Sequence, residues 1–472
     1  MFATLRHKLF GTKEFYRMVL AVTIPVVIQN ALTNFVSLLD NIMVGQVGTE
    51  PMSGVAIVNQ LFLVFNLLIS GGVSGAGIFT AQYYGKGDME GVRHTFRAKL
   101  WIVVASLGIS FAVFLTLGRP LIGLYLNEDT ASAVATLEYA HSYLNIMLIG
   151  LIPFALSQCY ASTLREAGDT VPPMKASMVA LFVNLVLDYI MIFGKFGLPA
   201  LGVAGAAWAT VIARFAEFGV LLVLTHRNRA KYPFLSGLYR SLKIPGDLLG
   251  KILRKGTPLM LNEMLWAAGI ATVGQCYSMK GLDVIAAQNI TSTVNNLFSV
   301  IYIALGCSIA IVVGQKLGAG EIEEAKTCNT HMIVFNLLTC LVIGILMAVA
   351  APYLPFLYNT SDAVRAMATR FLWIISALMP FYAFVHCSYF SLRTGGKTGV
   401  SFVFDSGFTW GVMIPLAFVL GHYTNVDPVL MYLIVQCAEV LKCAIGGILL
   451  KTCNWATNLV QATAPEQTVE GS

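Results

Sequence analysis

Long apolar runs alternate along this chain with short polar breaks. A helix needs about 20 residues to cross the hydrocarbon of a bilayer. Twelve runs meet that length: 17–44, 52–81, 95–117, 137–163, 176–194, 201–225, 256–279, 284–313, 331–351, 366–391, 400–421 and 429–450. Within each run the apolar residues are continuous, without the period-two alternation of a membrane-spanning strand, so helices are predicted and a β-barrel is not. The predicted class is an all-α polytopic membrane protein.

The runs fall into two copies of one template. Ile24-Pro25 through Gln82-Tyr83-Tyr84-Gly85-Lys86-Gly87-Asp88 matches Thr257-Pro258 through Gln315-Lys316-Leu317-Gly318-Ala319-Gly320-Glu321, at an offset of 233 residues. Further on the offset becomes 228, and Leu164-Arg165-Glu166-Ala167-Gly168-Asp169-Thr170 meets Leu392-Arg393-Thr394-Gly395-Gly396-Lys397-Thr398. A duplicated, hydrophobic unit predicts two pseudo-symmetric lobes of six helices, the plan of many secondary transporters. The predicted parts are an N-lobe over 1–225, a linker over 226–255, a C-lobe over 256–455 and a disordered tail over 456–472. The linker holds eight Lys and Arg and reads as partly an amphipathic interfacial helix.

Composition agrees with lipid as the solvent. Apolar residues make up 57% of the chain and charged residues 11%, against about 25% charged in soluble proteins. Of the thirty Lys and Arg, 23 fall on one side of the predicted topology and five on the other. The positive-inside rule then puts both termini in the cytoplasm and the chain in the inner or plasma membrane. The same distribution accounts for the net charge of +6 without a nucleic-acid partner, since the basic residues face anionic lipid. The first run, preceded by Arg6, Lys8, Lys13 and Arg17, reads as a retained helix, not a cleaved signal. Nine scattered cysteines form no CxxC pair and read as small buried residues.

Ionisable groups inside spans are costly and call for a reason. Asp40, Asp188, Arg214, Glu217, Glu263 and Glu439 are such groups. Gln29, Thr33, Ser37 and Asp40 are spaced four, four and three apart, so they share one face of the first helix, flanked by Asn30, Asn34 and Asn41. That row fits a cavity wall, not a lipid-facing surface. Pro25 removes a backbone hydrogen bond in the same helix and invites a bend. Asn184 and Asp188 stack at i, i+4 on the fifth helix. Counting inward from Gly45 and Gly194 places both carboxylates about 8–9 Å from the same boundary. In the second copy Asp40 faces Val273 and Asp188 falls in the apolar stretch around Pro415, so the fold itself does not need the acids.

Two carboxylates with the Asn184 carbonyl make an oxygen-rich set suited to Na+ or to a proton. A polar contact between helices is the competing reading. Thr210 offers a further hydroxyl, although a Thr on a small-residue face also suits helix packing. Gln29, Asn30, Asn34, Ser37, Tyr143 and Glu263 are the candidate substrate-cavity residues. For Glu263, a substrate or proton role and a hydrogen-bonded interfacial role are both open. Arg214 with Glu217, and Glu439 with Lys442, are spaced to pair on their own helices, and His386 reads as a packed histidine. No Walker A, HExxH or GxSxG motif stands in a suitable context, so neither ATP-driven transport nor an enzyme is expected. The paired Gly85-Lys86-Gly87-Asp88 and Gly318-Ala319-Gly320-Glu321 stretches read as helix C-caps.

The stretches Ile24-Pro25 to Asp40-Asn41-Ile42-Met43-Val44-Gly45, Gln82 to Asp88, Leu164 to Met174, Asn184 to Gly194 and Pro199 to Ala207 together resemble the multidrug and toxic compound extrusion (MATE) transporters over roughly residues 15–450. The resemblance implies twelve helices in two rocking six-helix lobes, and export of organic cations driven by an inward Na+ or H+ gradient. It implies no cofactor beyond that coupling ion. It implies an organic small-molecule substrate and membrane lipid as the partners of an expected monomer. Asp40, Asn184 and Asp188 match N-lobe cation positions of the DNA-damage-inducible (DinF-like) bacterial branch, and Pro25 matches its bending helix. Glu263 matches an acid of another bacterial branch, whose second acid, on helix 10, has no counterpart near Tyr382. A lipid-linked oligosaccharide flippase of the same superfamily is the alternative reading.

Overall fold

A computed structural model describes residues 9–126, 131–197 and 199–461. Twelve long helices run through them: α1 Lys13–Gly45, α2 Thr49–Lys86, α3 Met89–Gly123, α4 Ala131–Glu166, α5 Val171–Phe193, α6 Gly202–Arg227, α7 Gly246–Ser278, α8 Leu282–Gly318, α9 Ile322–Ala350, α10 Asp362–Thr394, α11 Thr398–His422 and α12 Pro428–Thr452. Eleven are long and apolar enough to cross a membrane. The twelfth is α7, whose apolar stretch is interrupted by Asn262 and Glu263. No strand occurs among the described residues.

Several helix ends are set by local chemistry. The Thr12 hydroxyl caps α1 by accepting from Phe15 N at 3.3 Å, and Asp88 caps α3 by accepting from Gly91 N at 2.8 Å. Gly87 at φ +79° and Gly320 at φ +85° end α2 and α8 in the left-handed conformation. The cap reading therefore holds for Gly87 and Gly320. Gly85 and Gly318 serve another purpose, set by packing. Midway, α11 widens into π turns at Val403–Gly407 and Thr409–Met413, and this local register shift carries Asp405.

Each lobe has its own apolar core. One joins Phe62, Phe96, Phe114, Leu144, Leu151 and Tyr160 from α2, α3 and α4; the other joins Tyr277, Phe371, Met379, Tyr432 and Val435 from α7, α10 and α12. The lobes meet where α2 and α8 cross at the face that also holds the start of α1 and the end of α12, here termed the terminal face. The crossing is reciprocal. A Cβ on Gly85 would lie 1.9 Å from the Gln315 carbonyl oxygen, and one on Gly318 would lie 1.8 Å from that of Gln82. Deeper in, the repeat positions diverge in chemistry. Gly75 packs backbone to backbone on Gly256, whereas their mates Ser308 and Thr23 share a 2.8 Å hydrogen bond.

Two expected boundaries shift. Residues 246–255, assigned to the linker, are the first turns of α7. The linker is also held down: the Arg97 guanidinium donates to the carbonyls of Leu238 (3.0 Å) and Gly237 (2.9 Å), and Arg93 donates to Phe234. Residues 456–461, expected to be disordered, instead fold back under the α2–α8 crossing, with Trp455, Ala456 and Val460 buried. The Gln82 side chain is fully buried there and must be satisfied. It donates to the carbonyls of Thr394 and Thr457, each at 3.2 Å, and accepts from Leu459 N at 2.7 Å. Lys86 donates to the Val460 carbonyl at 3.0 Å. Residues 462–472 lie outside the described residues.

Gly318→Ala should therefore push the ends of α2 and α8 apart. Spin labels on the exposed ends of the two helices, read by pulsed dipolar spectroscopy, should report longer distances than in the parent protein; an unchanged distribution would show that the crossing does not need glycine.

Candidate functional site

The acid stripe of α1 and the polar pair of α5 come together in the N-lobe. Asp188 and Asn184 are buried, with exposures of 1% and 4%. The Asp40 side chain lies within hydrogen-bonding reach of Asp188. Two ionised carboxylates have no hydrogen to exchange, so this contact needs a proton or a cation between them. Both Asp188 oxygens, and the Asn184 carbonyl oxygen, lack a hydrogen-bond donor among the described residues. The Asn184 amide donates to the Thr210 hydroxyl on α6 at 3.5 Å. Tyr143 of α4, buried, stands within electrostatic range of both acids.

The orphaned atoms test the expected ligand. Buried acceptors are normally paired, and an unpaired buried carboxylate is expensive. Carboxylate oxygens from Asp40 and Asp188, the Asn184 carbonyl and the Thr210 hydroxyl are hard oxygen donors of the kind that hold Na+. No group of three or more His, Cys, Asp or Glu is gathered among the described residues, so a transition-metal centre has no ligand set there. The same carboxylate pair suits a shared proton.

Sequence spacing placed the rest of the stripe less completely. Gln29 donates to Ser177 Oγ at 3.0 Å, and Ser177 donates to Glu217 Oε1 at 2.7 Å. Thr33 and Ser37 are exposed and return their hydroxyls to the α1 backbone, at 3.0 and 3.1 Å. Asn34 is exposed and Asn30 half-buried. Arg214 does not pair closely with Glu217. Its guanidinium lies over the Phe154 ring at 4.7 Å and beside Tyr143.

Pro25 sits inside an unbroken α1. It cannot donate to the Ala21 carbonyl. The Thr170 hydroxyl, at the entry to α5, sits 3.5 Å from that oxygen and 3.0 Å from the Val22 carbonyl. The turn weakened by Pro25 is thus tied to a neighbouring helix by a single side chain.

Glu263 does not join Asp40. It lies in the C-lobe, 3.7 Å from Arg393. A second polar cluster stands beside it. Asp405 receives Lys442 Nζ at 2.7 Å and the Asn262 amide at 2.9 Å. Ser406 donates to Asn262 Oδ1 at 2.7 Å, and Glu439 is 3.9 Å from Lys442. Sequence reading passed over Asp405, although an acid inside run 400–421 meets the same criterion that marked Asp188. It also passed over Lys99, inside run 95–117. Lys99 is fully buried and bonded to Ser162 (3.1 Å), Thr163 (3.0 Å) and Glu166. His386 packs edge-on to Tyr302 and faces the Tyr382 carbonyl, as expected.

A known family model matches both halves of this duplicated chain. The model named MatE aligns with residues 25–190 and 258–419, beginning in each half at the repeat prolines Pro25 and Pro258. The chain belongs to the MatE family. A probable multidrug resistance protein NorM of Thermotoga maritima is 27% identical over 87% of this chain and 86% of its own. A probable multidrug resistance protein YoeA of Bacillus subtilis is 29% identical, with 86% of each chain covered. Among solved structures, a mutant of the Vibrio cholerae MATE transporter VcmN superposes with a TM-score of 0.83 at 21% identity, over 94% of this chain and 98% of that one. An outward-facing MATE family transporter superposes with 0.82 at 19% identity, over 94% and 97%. This MatE-family chain is a membrane protein with the fold of those transporters.

Removing one member of the Asp405–Lys442 pair strands a buried charge, a loss of about 3–5 kcal/mol. Lys442→Met should lower the melting temperature in detergent markedly, and Lys442→Met with Asp405→Leu should recover much of it. Equal melting of parent and single variant would deny the pair a structural role.

Proposed function

We propose that this chain is a secondary antiporter that exports organic, often cationic and lipophilic, compounds in exchange for Na+ or H+. The observation that carries the reading is the Asp188 carboxylate, buried beside Asp40 with both oxygens lacking donors. The relatives named multidrug resistance proteins support the efflux direction. The terminal face is cytoplasmic in this reading, because it collects the Lys- and Arg-rich loops. With α2 and α8 packed together there, the described state is closed on the cytoplasmic side in this reading. The unit is a monomer, each lobe supplying half of one pathway.

The coupling follows from charge. An outward-facing pair of carboxylates holds an organic cation until Na+ or a proton takes the same negative charge. Once neutralised, Asp40 no longer repels Asp188, and α1 yields at Pro25, where one backbone hydrogen bond is missing. The two ligands compete for one site, so each lowers the affinity for the other by the same factor. Closure then requires the α2–α8 crossing and the residues 454–461 beneath it to part. A flippase of lipid-linked oligosaccharides would bring a pyrophosphate to this acid pair, which like charge disfavours.

The test is reconstitution in liposomes with an imposed Na+ or H+ gradient and a fluorescent organic cation. The parent should drive uptake or efflux of the dye, and Asp40→Asn should reduce it to background with an unchanged yield of folded protein. Full gradient-driven movement in Asp40→Asn would sink the scheme.

A further inference from the structure

At the terminal face a reciprocal pair of glutamines joins the two lobes. Gln82 of α2 donates to the Thr394 carbonyl at the end of α10, at 3.2 Å. Its repeat mate Gln315 of α8 donates to the Glu166 carbonyl at the end of α4, at 2.7 Å. Thr394 and Glu166 are themselves mates, at the offset of 228. The duplication thus supplies one bond twice, once from each lobe.

Only one copy carries an addition. Residues 454–461 cross beneath Gln82, which also donates to the Thr457 carbonyl at 3.2 Å and accepts from Leu459 N at 2.7 Å. Lys86, one turn further on, donates to the Val460 carbonyl at 3.0 Å. Gln315 bonds to no such segment among the described residues. The chain after α6, the counterpart of 454–461 in the repeat, runs along α3 instead, where Arg93 and Arg97 hold the carbonyls of Phe234 and Leu238. The two-fold plan does not require a segment under the crossing, so its presence on one side calls for its own reason.

The segment is anchored in both lobes. Trp455 and Ala456 are buried with Leu317 of α8 and Leu392 of α10. The approach there is close, because Gly395 leaves no room for a Cβ against the Trp455 carbonyl oxygen. Asn458 donates to the Gly318 carbonyl at 3.3 Å. Val460 is buried on the other side, against Phe79 of α2 and Ala98 of α3. Five extended residues reach about 17 Å at most, so one anchor must let go when the ends of α2 and α8 separate widely. Trp455 follows directly on α12 and moves with the C-lobe. The N-lobe end is the one that releases. Water replaces its hydrogen bonds on opening, so each is modest in net terms, and the segment tilts a balance without locking it.

We propose that residues 454–461 are a strap, carried by the C-lobe and released from Gln82, Lys86 and the Val460 pocket, that holds the terminal face shut and sets the balance between the two states of the transport cycle. The proposal rests on the antiport reading, in which the α2–α8 crossing must part. It adds an asymmetric bias to a symmetric gate: without the strap, the terminal face opens more often.

The experiment uses the purified protein in lipid nanodiscs. Spin labels carried by an unnatural amino acid replace the exposed repeat mates Glu90 and Glu323, one in each lobe, and leave the nine cysteines untouched. Pulsed dipolar spectroscopy reads the ratio of long to short distances. Two variants remove the strap's hold: a chain ended after Cys453, and a full-length chain with Lys86→Met and Asn458→Ala. Loss of two or more bonds predicts that each raises the ratio at least about tenfold. The full-length variant decides the matter if the shortened chain folds poorly. A chain ended after Gln461 keeps the strap and should match the parent; a shift there equal to that of the shorter chain would overturn the assignment to 454–461. Parent-like distances in both strap variants, with a longer distance appearing in the parent on addition of tetraphenylphosphonium, would overturn the strap and leave the antiport reading standing. A broadened short distance with no second population would overturn it too, since a segment that only packs gives that result. If neither variant nor parent shows a second distance with Na+, protons or tetraphenylphosphonium, the movement of the lobes falls, and the strap with it.

Discussion

Two carboxylates facing each other inside a wall of apolar helices cannot both keep their charge without a cation between them. That constraint organises the N-lobe. α1 and α5 carry Asp40 and Asp188 to one depth, and α6 supplies Thr210 through Asn184. The helices around them bring Tyr143 and Arg214 near, but no donor to the Asp188 oxygens. The Asp188 oxygens thus have no protein donor among the described residues. In the proposed cycle a cation or proton bound there changes the balance of forces between α1 and α5, and Pro25 makes α1 the element that responds.

The duplication explains why the lobes share a scaffold yet not a chemistry. Gln29 and Asn262 are repeat mates, as are Ser177 and Asp405, and Arg165 and Arg393. In the N-lobe, Gln29, Ser177 and Glu217 form a chain of neutral hydrogen bonds ending in an acid. In the C-lobe, the same positions hold Asn262 and Asp405, and Lys442 closes the charge. The N-lobe acid pair has no cation bonded to it among the described residues, whereas in the C-lobe Lys442 stands between Asp405 and Glu439. A buried pair of that kind is weak evidence for stability.

How much of this was legible in sequence follows from the range of each interaction. Helices and repeat appeared directly, because hydrophobic runs and matched prolines and glycines are local or strictly periodic. Asp40 and Asp188 stood out as ionisable groups inside apolar runs, and counting residues from the helix ends gave them a common depth. Gly85 and Gly318 were read only as caps, since their close approach to Gln315 and Gln82 exists only once the lobes cross. Residues 456–461 look disordered by side chain, but their backbone does the bonding, to Gln82 and Lys86, and composition says nothing of that. Lys99 was passed over because its partners Ser162, Thr163 and Glu166 lie 63 to 67 positions away.

The central claim is that substrate and coupling ion compete for one pair of carboxylates. Equilibrium binding of an organic cation to the purified protein, measured across Na+ concentrations and across pH, tests it most directly. The account predicts that affinity falls as Na+ or protons rise, and that Asp188→Asn abolishes this dependence. Affinity independent of both ions would contradict it.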